Sequence, residues 1–491
     1  MSKKYITTAI PYVNARPHLG HVMDYLLADV WARHMKQQGH EVRYSAGLDE
    51  HGTKVEQKAR EADKSPQEFV DDLAPSFLLL LEKLNASYTD FVRTTDTDHI
   101  RRVEEIWRKL DKKGVIYKST YEGWYCSGCE NFVIESEAKA MNYTCLDHQK
   151  PLEKLSEDNY YLRVSDYTDQ IHESARTSIV PEFRGREILE LIKDGAQDVS
   201  ISRPKEKLAW GIPVPGDADQ IMYVWVDALS NYITALGYPE NEINEWWPAD
   251  IEVVGKDILR FHAIIWPAML LALDLPLPKK LLVHGFINVD GAKMSKSVGN
   301  VIDPVALVDE YGTDAVRYFF LRHVPTFDDG DYTVEKFIAA YNGELANDLG
   351  NLVSRTANMI SRYCDGKIDK NSGIITNSKW VEEYENQMKE FRFDIALDSL
   401  WSIITELNRQ IEIYKPWEKY KIEQSGQGDS FIEGFEGGSV GEFLSSLAKG
   451  LVDVSEKLKP FLPDTATKIA EIFGDSTVGD APILFPKIEK K

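Results

Sequence analysis

Two short stretches carry residue types suited to phosphate chemistry. His18-Leu19-Gly20-His21 stands where a β-rich run, Tyr5 to Ile10, passes through Pro11 and Pro17 into residues at helical spacing. Backbone N–H groups at a helix start favour an anion. Gly20 removes a side chain, so a ligand can approach the backbone. Two imidazoles three residues apart share a helical face and can both donate to phosphate oxygens. The same pair could hold a metal, or be polar residues at a helix start. The second stretch, Lys293-Met294-Ser295-Lys296-Ser297, follows Asp290-Gly291 and precedes Gly299-Asn300. Two lysines and two hydroxyls in a glycine-flanked loop can follow charge as it develops on a transferring phosphate. Alone, it is also an ordinary solvated basic turn. Both stretches in one chain, in this order and flanking an insertion, favour the phosphate reading.

A third set has metal-ligand spacing. Cys126-x-x-Cys129 and Cys145-x-x-His148 are separated by fifteen residues. Three thiolates and one imidazole make a closed tetrahedral zinc set, which leaves no position for water and implies a structural role. Reduced cysteines and a surface histidine are the plainer alternative. Cys364 stands apart and reads as an ordinary helix residue. Four cysteines in 491 residues do not make a disulfide framework, and a reducing cytoplasm fits them.

The elements that must carry these residues are legible in outline. After the first run, Leu19, Val22, Met23, Leu26, Leu27, Val30 and Trp31 recur at helical spacing, Gly39 ends that helix, and Val42 to Ala46 resumes as a strand. This is the opening of a parallel sheet. From Gly114–Tyr117 to about Asp219 the chain is cysteine-containing, turn-rich and strand-like. Sheet signals return at Met222 to Trp225, Ile251 to Val254 and Lys280 to His284. A nucleotide-binding fold in two parts, split by an insertion, is the simplest reading. From about Asn342 the pattern is helical. Leu345, Leu349, Leu352 and Val353 form one stripe; Leu397, Leu400, Trp401, Ile404 and Leu407 a second; Leu447, Leu451, Val454 and Leu458 a third. Such stripes predict a helix bundle. Gln424 to Gly438 is rich in Gly and Ser and reads as a mobile loop between bundle helices.

Length implies two to four domains. The longest apolar stretch, near Phe261 to Leu273, is too short to span a bilayer, so no membrane role is expected, and the N-terminus has no signal pattern. The net charge of −22 weighs against nucleic-acid binding at long range, although a single basic face suffices for it.

H-L-G-H followed by K-M-S-K-S resembles the two signatures of class I aminoacyl-tRNA synthetases. Further segments resemble the methionine branch of that family: Ala9 to Asn14, Leu48 to Thr53, Tyr223 to Ala228, and Gly255 to Ile258 through Phe261 and His262. The likeness runs from about Tyr5 to Trp417. It implies a Rossmann-type sheet (an α/β fold) split by a zinc-containing insertion and followed by an all-α anticodon-binding bundle. The boundaries would be 1–117 and 220–280 for the two sheet halves, 118–219 for the insertion, 281–341 for the K-M-S-K-S loop and a stem-contact region, and 342–491 for the bundle.

The resemblance also implies the reaction. Methionine's carboxylate would attack the α-phosphate of ATP in line, pyrophosphate would leave, and the aminoacyl group would pass to the 3′ end of tRNA(Met), initiator and elongator alike. Mg²⁺ would help neutralise the phosphates, with no covalent enzyme intermediate. ATP would be bound by His18, Gly20, His21, Gly255, Asp257, Lys293 and Lys296, with Lys296 first and His21 second among the catalytic groups, and His18 and Lys293 beside them. Asp49 would bind the amino group and His262 would lie near the sulfur. A thioether is apolar and polarizable and contacts aromatic rings well. Tyr12, Trp225 and Tyr232 could form its wall, with Ile10, Ala228, Leu229 and Ile258 completing the pocket; each aromatic taken singly could equally be core. Some relatives carry proline where this chain has Leu229, which could reshape the pocket edge. The insertion looks too short for a separate editing fold, so homocysteine would be rejected in the synthetic site. Asn351 and Arg355, four apart on one face, and Trp417 after Pro416 would read the anticodon. Without a further C-terminal tRNA-binding domain, a monomer is expected. A synthetase for leucine, valine, isoleucine or cysteine, a small nucleotidyltransferase sharing H-x-G-H, and an inactive tRNA-binding paralogue are the competing readings.

Overall fold

The computed structural model describes residues 2–128, 131–133, 135–146, 149–294, 300–370, 372–373, 378–425, 438–479 and 481–489. Its central element is a six-stranded parallel sheet ordered Asp90–Arg93, Glu41–Leu48, Lys3–Thr8, Ile251–Gly255, Leu281–His284, Ile179–Val180. The inner strands are largely buried, as parallel strands covered on both faces must be. Ile6 lies between Tyr44 and Ile251 in register. The strand order reverses there: the chain winds outward from Lys3–Thr8 through Glu41–Leu48 to Asp90–Arg93, then crosses to the far edge at Ile179–Val180 before Ile251–Gly255 and Leu281–His284 fill the opposite side. Such a switch point opens a crevice beyond the carboxyl ends of the strands.

The intervening segment is not all strand. It contains a four-stranded sheet, ordered Asn131–Val133, Ile116–Cys126, Glu153–Leu162, Val199–Ser200, and a three-stranded sheet built on Asp217–Met222. Between them lie helices Thr168–Thr177 and Glu182–Leu191, with Ile179–Val180 at the edge of the main sheet. These helices are short, and each buries only a few small or apolar residues, such as Ile171 and Ala175, so their periodicity is weak in sequence. A second difference concerns Met222 to Trp225. The strand ends at Met222 and Val224 already begins the helix Val224–Thr234, so Trp225 and Tyr232 are helical. The run reads as a strand because the helix is apolar nearly all round and shows no polar face.

The chain divides into two compact units, Met1–Pro17 with Gly39–Leu79 and Ser87–Val283, and His18–Gln38 with Leu80–Ala86 and His284–Lys491. The second unit is organised around a fully buried arginine. Arg317 donates from Nε to the Phe461 carbonyl at 2.6 Å, from Nη2 to Pro460 at 2.8 Å and from Nη1 to Leu84 at 2.9 Å, and it pairs with the equally buried Asp29 at 2.8 Å. Arg33, one turn further along the same helix, also pairs with Asp29 at 2.8 Å and donates to the Asn85 side-chain oxygen at 3.1 Å, so the helix Leu19–Gln37 is held near its middle by Arg317 and, through Arg33, by Asn85. A buried charge of this kind is tolerated because its donors are nearly all satisfied. Helices Asn351–Tyr363, Phe393–Tyr414, Pro416–Ser425, Val440–Leu458 and Pro463–Phe473 follow. The three apolar stripes named above are buried. Most of the expected Gln424–Gly438 loop lies outside the described residues. No helix among the described residues is long and apolar enough to cross a membrane.

Candidate active site

Ile10 and Tyr12 follow strand Lys3–Thr8, Asp49 follows Glu41–Leu48, and Gly255, Asp257 and Ile258 end or follow Ile251–Gly255. These three strands are neighbours in the sheet, so residues far apart in sequence converge just beyond its carboxyl edge. Tyr12 and Asp49 form a parallel bridge, with Val13 N–H donating to the Asp49 carbonyl at 2.8 Å and Asp49 N–H to Pro11 at 2.9 Å. Gly52 has φ +110°, and a Cβ there would overlap the Tyr12 hydroxyl, so glycine is required. The Asp49 carboxyl is buried, in keeping with a group that meets a desolvated cation.

The helix Val224–Thr234 presents Trp225, Ala228, Leu229 and Tyr232 at i, i+3, i+4 and i+7, on one face. Trp225 stacks on Phe261 with centroids 3.8 Å apart and planes 7° apart, and meets His262 edge-on at 6.2 Å. The Tyr232 hydroxyl and His262 Nε2 are 2.7 Å apart, and His262 Nδ1 lies 3.0 Å from the Ile258 carbonyl. A carbonyl only accepts, so Nδ1 carries the proton. Burial lowers His262 to about 4, so the ring is neutral and Nε2 accepts from Tyr232. The result is an aromatic, uncharged lining able to receive a thioether. Phe261 was not among the sequence-derived pocket residues; its place next to His262 in the quoted motif was the available signal. Tyr12 packs in a different apolar cluster, with Val13, Leu48, Val55 and Trp210, rather than in the Trp225 cluster.

The phosphate motif forms an unusual cap. His18 is the N-cap of Leu19–Gln37, and its Nδ1 accepts from Gly20 N–H at 3.1 Å. The Nδ1 of His21 accepts from His18 N–H at 3.1 Å. The rings stack at 4.1 Å. This is a capping box built from two imidazoles. Because both Nδ1 atoms accept, each neutral ring carries its proton on Nε2, where it can donate to a phosphate oxygen. Burial, with His18 adding to it, holds His21 well below the usual imidazole range. A Cβ on Gly20 would sit 2.8 Å from the His18 ring and displace it.

Lys293 ends a hairpin. Asp290 and Gly291 have φ +52° and +72°, the two left-handed positions of a tight two-residue turn. Asn288 pairs with Lys293, and Lys293 Nζ lies 5.1 Å from the Phe286 ring centre. Lys296, with residues 295–299, lies outside the described residues.

Cys126 and Cys145 are both buried in one small cluster with Ala138 and Leu152. Cys145 N–H donates to the Lys150 carbonyl and the Cys145 carbonyl accepts from Gln149 N–H, each at 2.8 Å. Two buried cysteines in one cluster are the residue type such a thiolate site needs, but among the described residues no group of three metal-ligating side chains comes together. The other two proposed ligands, Cys129 and His148, lie outside the described residues.

In the helical region, Asn351, Arg355 and Trp417 line one open cavity of about 560 Å³ together with Ser354, Asn358, Met359, Arg362 and Tyr363. The Arg355 guanidinium lies 5.2 Å from the Trp417 ring centre and 2.6 Å from Glu412. Trp417 is in the first turn of the helix that Pro416 opens.

The model of the family "tRNA synthetases class I (M)" matches residues 4–357. The methionine--tRNA ligase of Caldanaerobacter subterraneus subsp. tengcongensis is 42% identical over 484 residues, which cover 96% of this chain and 74% of that protein. The methionine--tRNA ligase of Thermotoga maritima is 39% identical over 484 residues, 95% of this chain and 74% of that one. The structure of Mycobacterium tuberculosis methionyl-tRNA synthetase in complex with methionyl-adenylate superposes with a TM-score of 0.89 at 34% identity, covering 99% of this chain and 100% of that one. With the family's motifs at the carboxyl edge of the sheet and at the start of helix Leu19–Gln37, the chain belongs to the methionine group of the class I tRNA synthetases.

Proposed function

We propose that this chain joins L-methionine to tRNA in two steps, with ATP as the other substrate. A carboxylate oxygen of methionine bonds to the α-phosphorus of ATP, the bond to the β-phosphate oxygen breaks, and pyrophosphate leaves. The tRNA's terminal hydroxyl then takes the aminoacyl group and AMP leaves. The observation that carries this reading is the convergence of Tyr12, Asp49 and Gly255 beyond three neighbouring strands, in a chain whose relatives are methionine--tRNA ligases. Asp49 binds the ammonium group. Trp225, Tyr232, His262, Ala228, Leu229, Ile10 and Ile258 receive the side chain, with Tyr12 at its edge. His18, His21, Lys293 and Lys296 meet the phosphates, with Gly20, Gly255 and Asp257 lining the nucleotide. Mg²⁺, bound with ATP, supplies charge neutralisation. Catalysis is then positioning plus electrostatics.

Segments 1–117 and 220–280 make the catalytic halves, 118–219 a structural zinc module, 281–341 the mobile-lysine and stem-contact region, and 342–491 the anticodon-binding bundle. One Zn²⁺ would be held by Cys126, Cys129, Cys145 and His148. Asn351, Arg355 and Trp417 would read the anticodon of initiator and elongator tRNA(Met), in a cytoplasmic monomer. The test is ATP–pyrophosphate exchange with each of the twenty amino acids. Methionine should be the preferred activator; a higher rate with leucine, valine or cysteine would overturn the substrate assignment.

A further inference from the structure

Three buried side chains outside the proposed substrate contacts form a hydrogen-bonded line. Asp227, 1% exposed, accepts at Oδ2 from His51 Nδ1 at 2.6 Å and at Oδ1 from His99 Nε2 at 2.8 Å. The other nitrogen of His99 meets the Thr234 hydroxyl at 2.8 Å. Both imidazoles are buried. A carboxylate accepts and does not donate, so each ring gives Asp227 an N–H. Burial alone would raise the Asp227 pKa, but the charge and hydrogen bonds of His51 and His99 outweigh it and hold the group below the usual carboxylate range.

The line ends on the two halves of the amino-acid site. His51 stands two residues after Asp49. The Asp49–Gly52 loop is held elsewhere too: Arg93 Nε binds Glu50 at 2.8 Å, Thr95 donates to the same carboxylate, Trp210 Nε1 donates to the Glu50 carbonyl at 2.6 Å, and Gly52 N–H donates to Trp210 at 3.0 Å. At the other end, Asp227 and Thr234 lie on the helix whose adjacent face presents Trp225, Ala228, Leu229 and Tyr232. His99, from the helix Thr97–Lys112, grips both Asp227 and Thr234. One carboxylate thus links the loop of the ammonium-binding residue to the helix of the side-chain pocket.

We propose that Asp227 is a positioning residue for amino-acid specificity: through His51 and His99 it sets the span between Asp49 and the Trp225–Tyr232–His262 pocket, and so the length of amino acid the site accepts. The inference rests on the assignment of that pocket to methionine.

Asp227→Asn replaces one acceptor by an amide N–H₂ that faces an imidazole donor. In ATP–pyrophosphate exchange the KM for methionine should rise roughly 10- to 100-fold, the weight of one charge-assisted hydrogen bond. The KM for ATP, and kcat at saturating methionine, should stay close to those of the parent enzyme. Ethionine, one methylene longer, should gain in kcat/KM relative to methionine. His51→Leu should give the same pattern, and His51→Asn, which keeps an N–H near the Nδ1 position, should restore the parent values. This second pair decides the matter if Asp227→Asn does not fold. Both KM values rising together, with a lower Tm and no rescue by His51→Asn, would mark a merely structural group and overturn the proposal. Asp49→Asn separates the two levels. If it leaves the methionine KM unchanged, the pocket assignment fails and the proposal falls with it. If it raises that KM while Asp227→Asn and His51→Leu do not, only the positioning role fails.

Discussion

At the start of helix Leu19–Gln37 two histidines do the capping that serine and glutamate do in other helices. Their Nδ1 atoms serve the backbone, so the phosphate contacts proposed for them would be made through Nε2–H. His21→Asn keeps an acceptor near the Nδ1 position but removes that donor. It should retain the Tm of the parent and slow methionine-dependent exchange by about 10²-fold or more, the cost of one well-placed transition-state donor. Lys296→Ala should do the same, with methionine affinity nearly unchanged because the lysine acts on phosphate; a normal exchange rate would remove Lys296 from the mechanism. A different residue, Glu252, contributes to the pH dependence of stability. Glu252, in a central strand, is fully buried and receives one hydrogen bond from Trp266 Nε1 at 3.0 Å. Burial raises its pKa from 4.5 to about 8, against the smaller opposing effect of Trp266. The folded state therefore favours the protonated carboxyl. The associated stability is fully present below pH 4.5 and is lost as pH rises through about 8. The loss is roughly 1.4 kcal/mol per pH unit within that window. Glu252→Gln should flatten this slope in denaturant titrations between pH 4.5 and about 8; an unchanged slope would place the pH dependence elsewhere.

Among the elements, the insertion is the one to which the proposed zinc site would matter most. Among the described residues, its cysteine-bearing part buries a small cluster around Cys126, Cys145, Ala138 and Leu152. So little apolar surface contributes little stability, and a closed metal site contributes folding energy outright. The purified protein should hold one zinc per chain. Cys126→Ala should release it and expose residues 118–160 to proteolysis, while the parallel sheet stays protected from hydrogen exchange. Metal analysis of chelator-free protein that finds no zinc would refute the site. The helix Val224–Thr234 teaches a related lesson. It is buried on nearly every side, so its pocket face and its Asp227 face both escape amphipathic pattern reading.

For the molecule as a whole, the amino-acid pocket residues and the Asn351–Arg355–Trp417 cavity belong to different compact units. The exchange half-reaction uses no tRNA. Trp417→Ala should leave it intact and weaken tRNA charging by about 1–3 kcal/mol, the worth of one base–aromatic stack. Depression of both half-reactions together would make Trp417 a packing residue. Arg355 is already paired with Glu412, so under the proposed anticodon role a base would have to share or displace that carboxylate. With a net charge of −22, stacking and base-edge contacts should outweigh bulk attraction, and the salt dependence of tRNA binding should be shallow.

Much of this was legible from the residues themselves. Local spacing alone predicts the strand before His18, the helix after it and the burial of the three bundle stripes. The phosphate chemistry proposed for His18, His21 and the lysine loop was argued from residue type, because a motif carries its donors within one turn of chain; residues 295–299 of that loop lie outside the described residues. What only the tertiary structure decided depends on pairings far apart in sequence. The strand order brings Tyr12, Asp49 and Gly255 to one edge. The contact of Trp225 with Phe261 and the Asp227 line to His51 and His99 join segments that no local window contains. Their partners are chosen by which strands pair and which faces are buried, and those are properties of the whole sheet and its covering helices rather than of any one stretch of sequence.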